Sequence, residues 1–468
     1  MDPATEFGAL SLVPASVAIL LAFLTRNTVF SLGLACIVGV FIAGEGMLGF
    51  PNLLKSALGT EAFSWILILE LVIGVSIAFF QRTGAIRNFS DFIERRNMTR
   101  TRVQLAAWFM GMFVFFSDYF SPLFVGSTMR TLTDRFKVSR EKLAYICDST
   151  SAPVSILVPI TGWAVFVAGL LIGMGPVDDA RTAMGVFVAA IPYNVYALLA
   201  VPMVGLIAFE VIPDFGPMKE AERRAKEDGK VLRDGAVPLM SDELTDIETY
   251  PGINTSLFWN FLFPVFIVIA VAVGSFIATD SALTMEAFLL SVIVAGVIMR
   301  IQGIPLDEIT NTAMSGIKGI MPAIIILAFA YALNDLSRQL ETAQYIVSVT
   351  ESWLTPGLLP VLTFLIAGLI AFSTGTSWGT YGIMMPLAVP IAFAFNGDQL
   401  DGVLFATVAA IAGGGVFGDH CSPLSDTSIL ASTGAASDHI DHVKTQMPYA
   451  LVVGTLSVLI YIAIGMTF

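Results

Sequence analysis

Residues 104–133 read QLAAWFMGMFVFFSDYFSPLFVGSTMRTLT, an apolar stretch broken by Asp118, Pro122 and Gly126. One membrane crossing needs about 20 mostly apolar residues, so this stretch is too long for a single helix across a bilayer. Its flanks are basic. Residues 82–102 carry Arg82, Arg87, Arg95, Arg96, Arg100 and Arg102, and residues 134–142 carry Arg135, Lys137, Arg140 and Lys142. Basic loops stay on the cytoplasmic side of a membrane. Both ends therefore lie on one side, and the stretch is expected to enter and leave there as a re-entrant hairpin rather than as one long tilted helix. Such backbone is tolerated at depth where protein or water surrounds it.

Working outward, the whole chain fits lipid as its solvent. Its 468 residues are 56% hydrophobic and 13% charged, where a soluble domain carries about a quarter charged residues. Apolar windows predict spans near 8–25, 28–47, 62–81, 143–173, 183–209, 257–279, 284–300, 319–334, 402–432 and 446–467. A second over-long stretch, 352–396, predicts a second hairpin. Residues 212–255 mix Lys219, Arg223, Arg224 and Lys226 with Glu220, Glu222, Glu227 and Asp228, and read as a cytoplasmic linker, partly helical or disordered. The layout is then a transmembrane repeat over 1–211, the linker 212–255, and a second transmembrane repeat over 256–468. Five crossings per repeat make the two inverted, with both chain termini outside. The expected fold is an all-α polytopic membrane protein: two inverted repeats of about five transmembrane helices plus one re-entrant hairpin each, with broken helices near the midplane.

Other global features say less. The net charge of −13 does not set topology. Cys36, Cys147 and Cys421 form no disulfide or redox pattern. Residues 1–7 lack the basic start of a signal peptide and read as a cloning scar.

Four polar interruptions sit inside apolar stretches: Ser117-Asp-Tyr-Phe-Ser-Pro122, Asp148-Ser-Thr-Ser-Ala-Pro153, Ser373-Thr-Gly-Thr-Ser-Trp-Gly-Thr380 and Gly413-Gly-Gly-Val-Phe-Gly-Asp-His-Cys-Ser-Pro-Leu-Ser-Asp-Thr-Ser428. Asp148 and Asp419 open similar runs, each followed by an Ile-Leu pair and a Thr-Gly pair, which hints at an internal repeat. Gly and Pro interrupt the helical ladder and free carbonyl oxygens. With hydroxyls and carboxylates these supply the oxygen donors a hard cation prefers. Asp118, Asp148, Asp419 and Asp426 lie in otherwise uncharged segments, and Glu70 sits mid-span. A charge at bilayer depth is costly and usually marks a transport path. The plainer alternative is a carboxyl held neutral or paired with a base such as Arg130. His420 and Cys421 beside Asp419 raise zinc, but no second cluster has ligand spacing, and His439 and His442 read as loop residues. No phosphate-binding loop or dinucleotide fingerprint is present, and no elbow marks a Ser/His/Asp protease nucleophile.

The chain resembles the NhaC-type Na⁺/H⁺ antiporter family of the broader ion-transporter superfamily. The resemblance is carried by Val138-Ser-Arg-Glu-Lys-Leu-Ala-Tyr145 running into Cys147-Asp-Ser-Thr-Ser-Ala-Pro-Val154, by Gly375-Thr-Ser-Trp-Gly-Thr380, and by Gly418-Asp-His-Cys-Ser-Pro-Leu-Ser-Asp-Thr427. It implies a secondary transporter, not an enzyme, in a prokaryotic inner membrane, exchanging Na⁺ for protons. Related members exchange organic acids such as malate and lactate, or carry amino acids.

The expected mechanism is competition of Na⁺ and protons for buried carboxylates. Asp148 and Asp419 are the leading candidates, with Asp118 and Asp426 as partners. Ser149, Thr150, Ser151, Thr374, Thr376, Ser377, Ser422 and Thr427 are expected to line the ion path, with Na⁺ itself at Asp148, Ser149, Thr376 and Asp419. No cofactor is expected beyond the transported ions, and no nucleic acid. The expected partners are the bilayer, a small organic anion or amino acid as alternative cargo, and a second copy in a homodimer. A scaffold or receptor is the remaining class, and it has no need of buried charge.

Overall fold

Backbone taken out of water has to satisfy its own hydrogen bonds. The computed structural model does so with helices, and no β-strand occurs among the described residues. The structure describes residues 7–25, 27–94, 98–115, 117–159, 161–240, 247–279, 283–350 and 355–468. Residues 1–6, Arg95, Arg96 and the start of the 352–396 stretch lie outside these.

The first part of the chain runs α1 (Val13–Thr25), α2 (Thr28–Ile42), α3 (Gly46–Leu58), α4 (Glu61–Arg82), α5 (Ala85–Glu94), α6 (Arg100–Phe113), α7 (Phe120–Arg135), α8 (Arg140–Ser149), α9 (Ala152–Ser155), α10 (Gly162–Leu171), α11 (Ala180–Ala190) and α12 (Val195–Ala208). A short helix, α13 (Gly216–Arg223), follows. The remainder is α14 (Phe263–Thr279), α15 (Thr284–Ile301), α16 (Leu306–Gln339), α17 (Thr342–Thr350), α18 (Leu359–Thr374), α19 (Ser377–Asn396), α20 (Gly402–Cys421), α21 (Asp426–Gly434) and α22 (His439–Gly465).

The chain is a multi-pass helical membrane protein. Among the described residues seven helices are long and apolar enough to cross a bilayer, or nine if each of two bent pairs is one span. Several expected spans are broken. The 28–47 window ends at Ile42, and the chain turns 118° into α3. The 183–209 window bends 52° between α11 and α12, where Pro192 sits in the bend and Asn194 caps α12 by accepting from the Ala197 amide. The 143–173 window is three pieces, α8, α9 and α10, because Pro153 and Pro159 each remove an amide donor. The 402–432 window breaks at 422–425 around Pro423. Hydropathy averages over these breaks and cannot see them.

Both over-long stretches fold back on themselves. α6 packs on α7, and α18 packs on α19. The second hairpin has the longer arms: Pro356–Thr374 and Ser377–Asn396 are each long and apolar enough to cross a bilayer. The expected basic loop 82–102 contains a helix, α5.

The α18–α20 contact sets the level at which the breaks face one another. A Cβ on Gly414 would stand 2.4 Å from the Phe364 carbonyl oxygen, and one on Gly418 would stand 2.3 Å from that of Gly368. Small residues let backbones approach this closely. Gly375, at φ 75°, ends α18 in the left-handed region, and a Cβ there would stand 2.5 Å from the Leu424 carbonyl oxygen. The elbow of the second hairpin is thereby seated on the α20–α21 break.

The linker is partly helical, through α13, and α13 packs against α8 and α22. Met218, Ala221 and Ala225 are buried, and its charges find partners on the transmembrane helices. The Lys142 ammonium, fully buried on α8, donates to Asp214 at 2.5 Å. Arg224 donates to Glu141 at 2.8 and 2.9 Å, and Arg233 to Asp441 at 2.7 Å. Arg100 pairs with Glu210 at 2.7 Å and also with Glu222, which accepts from the Ser139 amide at 2.8 Å. A buried charge survives when it is paired, and this pairing overrides what charge-rich composition suggests. All three cysteines are free and buried.

Gly414→Ala should therefore lower stability by about 1–3 kcal/mol through overpacking. Gly382→Ala, with nothing within 4 Å of the added Cβ, should be neutral or slightly stabilising. Thermal unfolding of the two purified variants in detergent separates these outcomes.

Candidate functional site

The breaks converge. α6 ends against α8: a Cβ on Gly111 would lie 2.0 Å from Thr150 Oγ1. The Ser117 hydroxyl accepts from the Phe120 amide at 3.2 Å and starts α7. Thr376 caps α19 by accepting from the Gly379 amide at 3.4 Å. Ser422 donates to the Phe372 carbonyl at 2.7 Å and fastens the α20–α21 break to α18.

Four aspartates meet there, all buried. Asp419, in the last turn of α20, receives the Ser377 amide at 3.2 Å and the Ser377 hydroxyl at 2.5 Å on Oδ2. The N-terminal end of α19 thus faces this carboxylate, where a helix favours negative charge. Asp426 opens α21; its Oδ2 accepts from the Tyr119 hydroxyl at 3.0 Å and its Oδ1 from the Thr427 amide at 2.8 Å. Asp118 precedes α7, and the indoles of Trp163 and Trp378 are its neighbouring donors, although neither N–H completes a hydrogen bond. The two indole rings lie 4.9 Å apart. Asp148 and Asp426 both lie close enough to Asp419 to act on it electrostatically, and Asp118 likewise on Asp426.

Asp148 has the richest set of donors. On Oδ2 it accepts from the Ser428 hydroxyl at 2.9 Å and Gln446 Nε2 at 2.6 Å, and His442 Nε2 lies at 3.4 Å. His420 Nε2 is 4.0 Å from Oδ1. Ser428 also reaches the Asp419 backbone carbonyl at 3.3 Å, which ties the Asp148 carboxylate to the end of α20. Asp118 Oδ2, Asp148 Oδ1 and Asp419 Oδ1 are buried without a hydrogen-bond partner. Buried carboxylate oxygens are rarely left so, and each marks a place for a water, proton or ion. Among the described residues no lysine or arginine forms an ion pair with any of the four, and no group of three His, Cys, Asp or Glu is arranged around one metal ion.

The hydroxyls divide into two groups. Ser377 and Ser428 touch carboxylates. Thr150, Ser151 and Thr374 bond carbonyls of their own turns, at 2.7, 2.7 and 2.8 Å. Thr376 caps α19, Ser422 holds the break, and Thr427 bonds Ser425 at 3.0 Å. Ser149 lines a small cavity behind Asp148. Arg130 is buried beside Met240. Glu70 is buried on α4, with Oε2 unpartnered.

His439 and His442 are helical and buried, not loop residues. His439 bonds Ser432 at 3.0 Å and the Pro423 carbonyl at 2.9 Å. The spacing His439, His442, Gln446, Tyr449, Val453 was the available signal, since steps of three and four put them on one helical face that continues into an apolar span.

Comparison with known proteins agrees with this architecture. Residues 176–466 match the profile of the Na⁺/H⁺ antiporter family. An uncharacterized protein of Haemophilus influenzae is 32% identical over 98% of this chain and 91% of its own length. Shorter matches include an arginine/ornithine antiporter, ArcD, of Halobacterium salinarum, 32% identical over 34% of this chain and 31% of that protein. A malate-2H⁺/Na⁺-lactate antiporter of Bacillus subtilis is 26% identical over 43% of this chain and 44% of its own.

Gln446→Leu should expose the cost of an undersupplied Asp148. It removes the 2.6 Å donor and should lower stability by about 1–3 kcal/mol, read as thermal unfolding in detergent. Wild-type stability would mean that Gln446 holds nothing.

Proposed function

This chain belongs to the Na⁺/H⁺ antiporter family, and we propose that it exchanges Na⁺ for H⁺ across a prokaryotic inner membrane by alternating access. The observation that carries this reading is the meeting of Asp118, Asp148, Asp419 and Asp426 at broken helix ends, three of them with an unpartnered oxygen. Na⁺ and protons compete for these oxygens, and a carboxylate that holds one cannot hold the other, which couples the two flows. Carbonyls freed at the ends of α6, α8, α18 and α20 complete the cation shell, at helix ends that favour positive charge.

The halves 1–211 and 256–468 act as inverted repeats joined by the linker 212–255 on the cytoplasmic side, with both termini outside. A folded-back pair followed by a broken helix recurs as α6/α7 with α8/α9 and as α18/α19 with α20/α21, which supports that reading. One repeat then rocks against the other.

A second reading has an observation of its own. The Trp163 and Trp378 N–H groups are buried and unpartnered near Asp118, so donors and acceptors of a small amino acid or organic acid both find complements there. The arginine/ornithine and malate/lactate relatives point the same way.

Reconstitution in liposomes with a pH-sensitive dye decides. Wild-type protein should move protons against a Na⁺ gradient, and Asp148→Asn and Asp419→Asn should each abolish this flux. Wild-type flux in both variants would sink the carboxylate assignment. Flux that requires malate, lactate or an amino acid would select the second reading.

A further inference from the structure

Residues 231–240, the later part of the linker, run across the end of the helices that carry the site. A turn between two helices ordinarily faces solvent, yet from Ala431 to Ile440, across the α21–α22 turn, every residue is buried. The linker segment lies against that turn. The Leu239 amide donates to the Ser437 carbonyl at 3.3 Å, and the Val237 amide to Asp438 Oδ2 at 2.9 Å. Pro238 and Asp438 form an isolated antiparallel bridge. Leu239 and Met240 are themselves buried, and Met240 Sδ accepts from Arg130 on α7 at 3.0 Å.

Beneath the segment, one turn of α22 leads to the site. Asp438 caps α22 by accepting from the Asp441 amide at 3.0 Å. His439, next in the chain, bonds the Pro423 carbonyl in the α20–α21 break at 2.9 Å. His442 stands 3.4 Å from Asp148 Oδ2. The two ends of the segment are held unequally. At the α8 end the Val231 carbonyl accepts from the Arg140 amide at 3.1 Å and from Arg224 at 3.3 Å. Arg224 also clasps Glu141, whose side chain is 2% exposed. Parting such a pair leaves a buried charge alone, which is costly. At the α22 end Arg233 pairs with Asp441, but Arg233 is 31% exposed, and solvent-exposed pairs contribute little. Pro238 has no amide to donate, so the pairing with the turn stops at one bridge. The contact beyond it uses the Met240 thioether, a weak acceptor.

We propose that residues 231–240 are a lid, hinged on α8 at Val231, that lifts from the α21–α22 turn and opens a route from the linker side to Asp148. The lid rests on the reading of the chain as an alternating-access carrier, and not on Na⁺ being the cargo. Alternating access needs a barrier on each side of the site, and lids that open and close supply such barriers in many proteins. Closed, the segment buries the turn and keeps the first turn of α22 packed over Asp148. Open, it stays with α8 and frees that end of α22. The linker then has a second task beside joining the halves.

The test uses full-length protein in proteoliposomes and follows exchange of labelled Na⁺. Facing residues of an antiparallel bridge stand at disulfide distance, so Pro238→Cys with Asp438→Cys staples the lid to the turn. Oxidised, this variant should lose exchange, and reduction should restore it. Val231→Cys with Arg140→Cys staples the hinge instead, and should exchange equally in both redox states. Oxidised wild-type protein, whose three cysteines are free and buried, sets the baseline. Exchange that persists in the stapled lid, with the bond confirmed by mass spectrometry, overturns the proposal. Equal loss in the stapled hinge overturns it too, because general stiffening then explains both. If losing the Asp438 cap unfolds the first pair, Leu239→Cys with Ser437→Cys spans the same junction, keeps the cap and is held to the same outcomes. If Na⁺ supports no exchange, labelled malate, lactate or amino acid replaces it. The sodium reading then fails while the lid is still judged by the same comparison. A wild-type protein that exchanges none of these cargoes overturns the lid.

Discussion

A carboxylate held among apolar helices needs donors at its own depth, and Asp419 obtains them from the amide and hydroxyl of Ser377. That contact constrains much of the site. It requires the elbow after α18 to lie level with the end of α20. The level is fixed by the backbone-to-backbone approach of those helices at Gly368 and Gly418 and by the seating of Gly375 on Leu424. Once the elbow is in place, Ser422 can reach the Phe372 carbonyl, and α21 starts where Ser428 bridges Asp148 and the Asp419 backbone. Small residues on one helix thus determine which polar atoms meet several turns away.

Asp148 is supplied differently. Its donors come from α21 and α22, distant in sequence, and α8 and α22 are also the helices the linker grips through Lys142, Glu141 and Asp441. The linker is therefore part of the mechanical surroundings of the site. A movement of α8 relative to α22 has to stretch or release those ion pairs, which are charge-assisted hydrogen bonds.

The helical class, the folded-back stretches and the four aspartates were legible in sequence, because each rests on a local signal: hydropathy, flanking basic residues, or a carboxylate in an uncharged run. The breaks at Pro153, Pro159 and Pro423 were visible as residues but were averaged away when spans were counted. The roles of individual hydroxyls were not legible. Thr150 and Thr374 resemble Ser377 in composition, yet they turn back to their own helix while Ser377 heads the next one. His442 and Gln446 were missed because a polar first turn, read linearly, resembles a loop. The packing of the linker was not legible, because composition counts charges and cannot see that their partners wait on α6, α8 and α22.

The buried thiols have a consequence for watching this molecule at work. Cys147 adjoins Asp148 in the chain, and Cys421 lies two positions after Asp419. Both are sealed from solvent in the conformation described. On a helix, side chains one and two positions apart point about 100° and 200° away from each other, so these sulfurs report on the packing behind each aspartate rather than on its carboxylate. Alkylation of these native side chains, followed by mass spectrometry, is therefore a built-in clock for how often that packing opens.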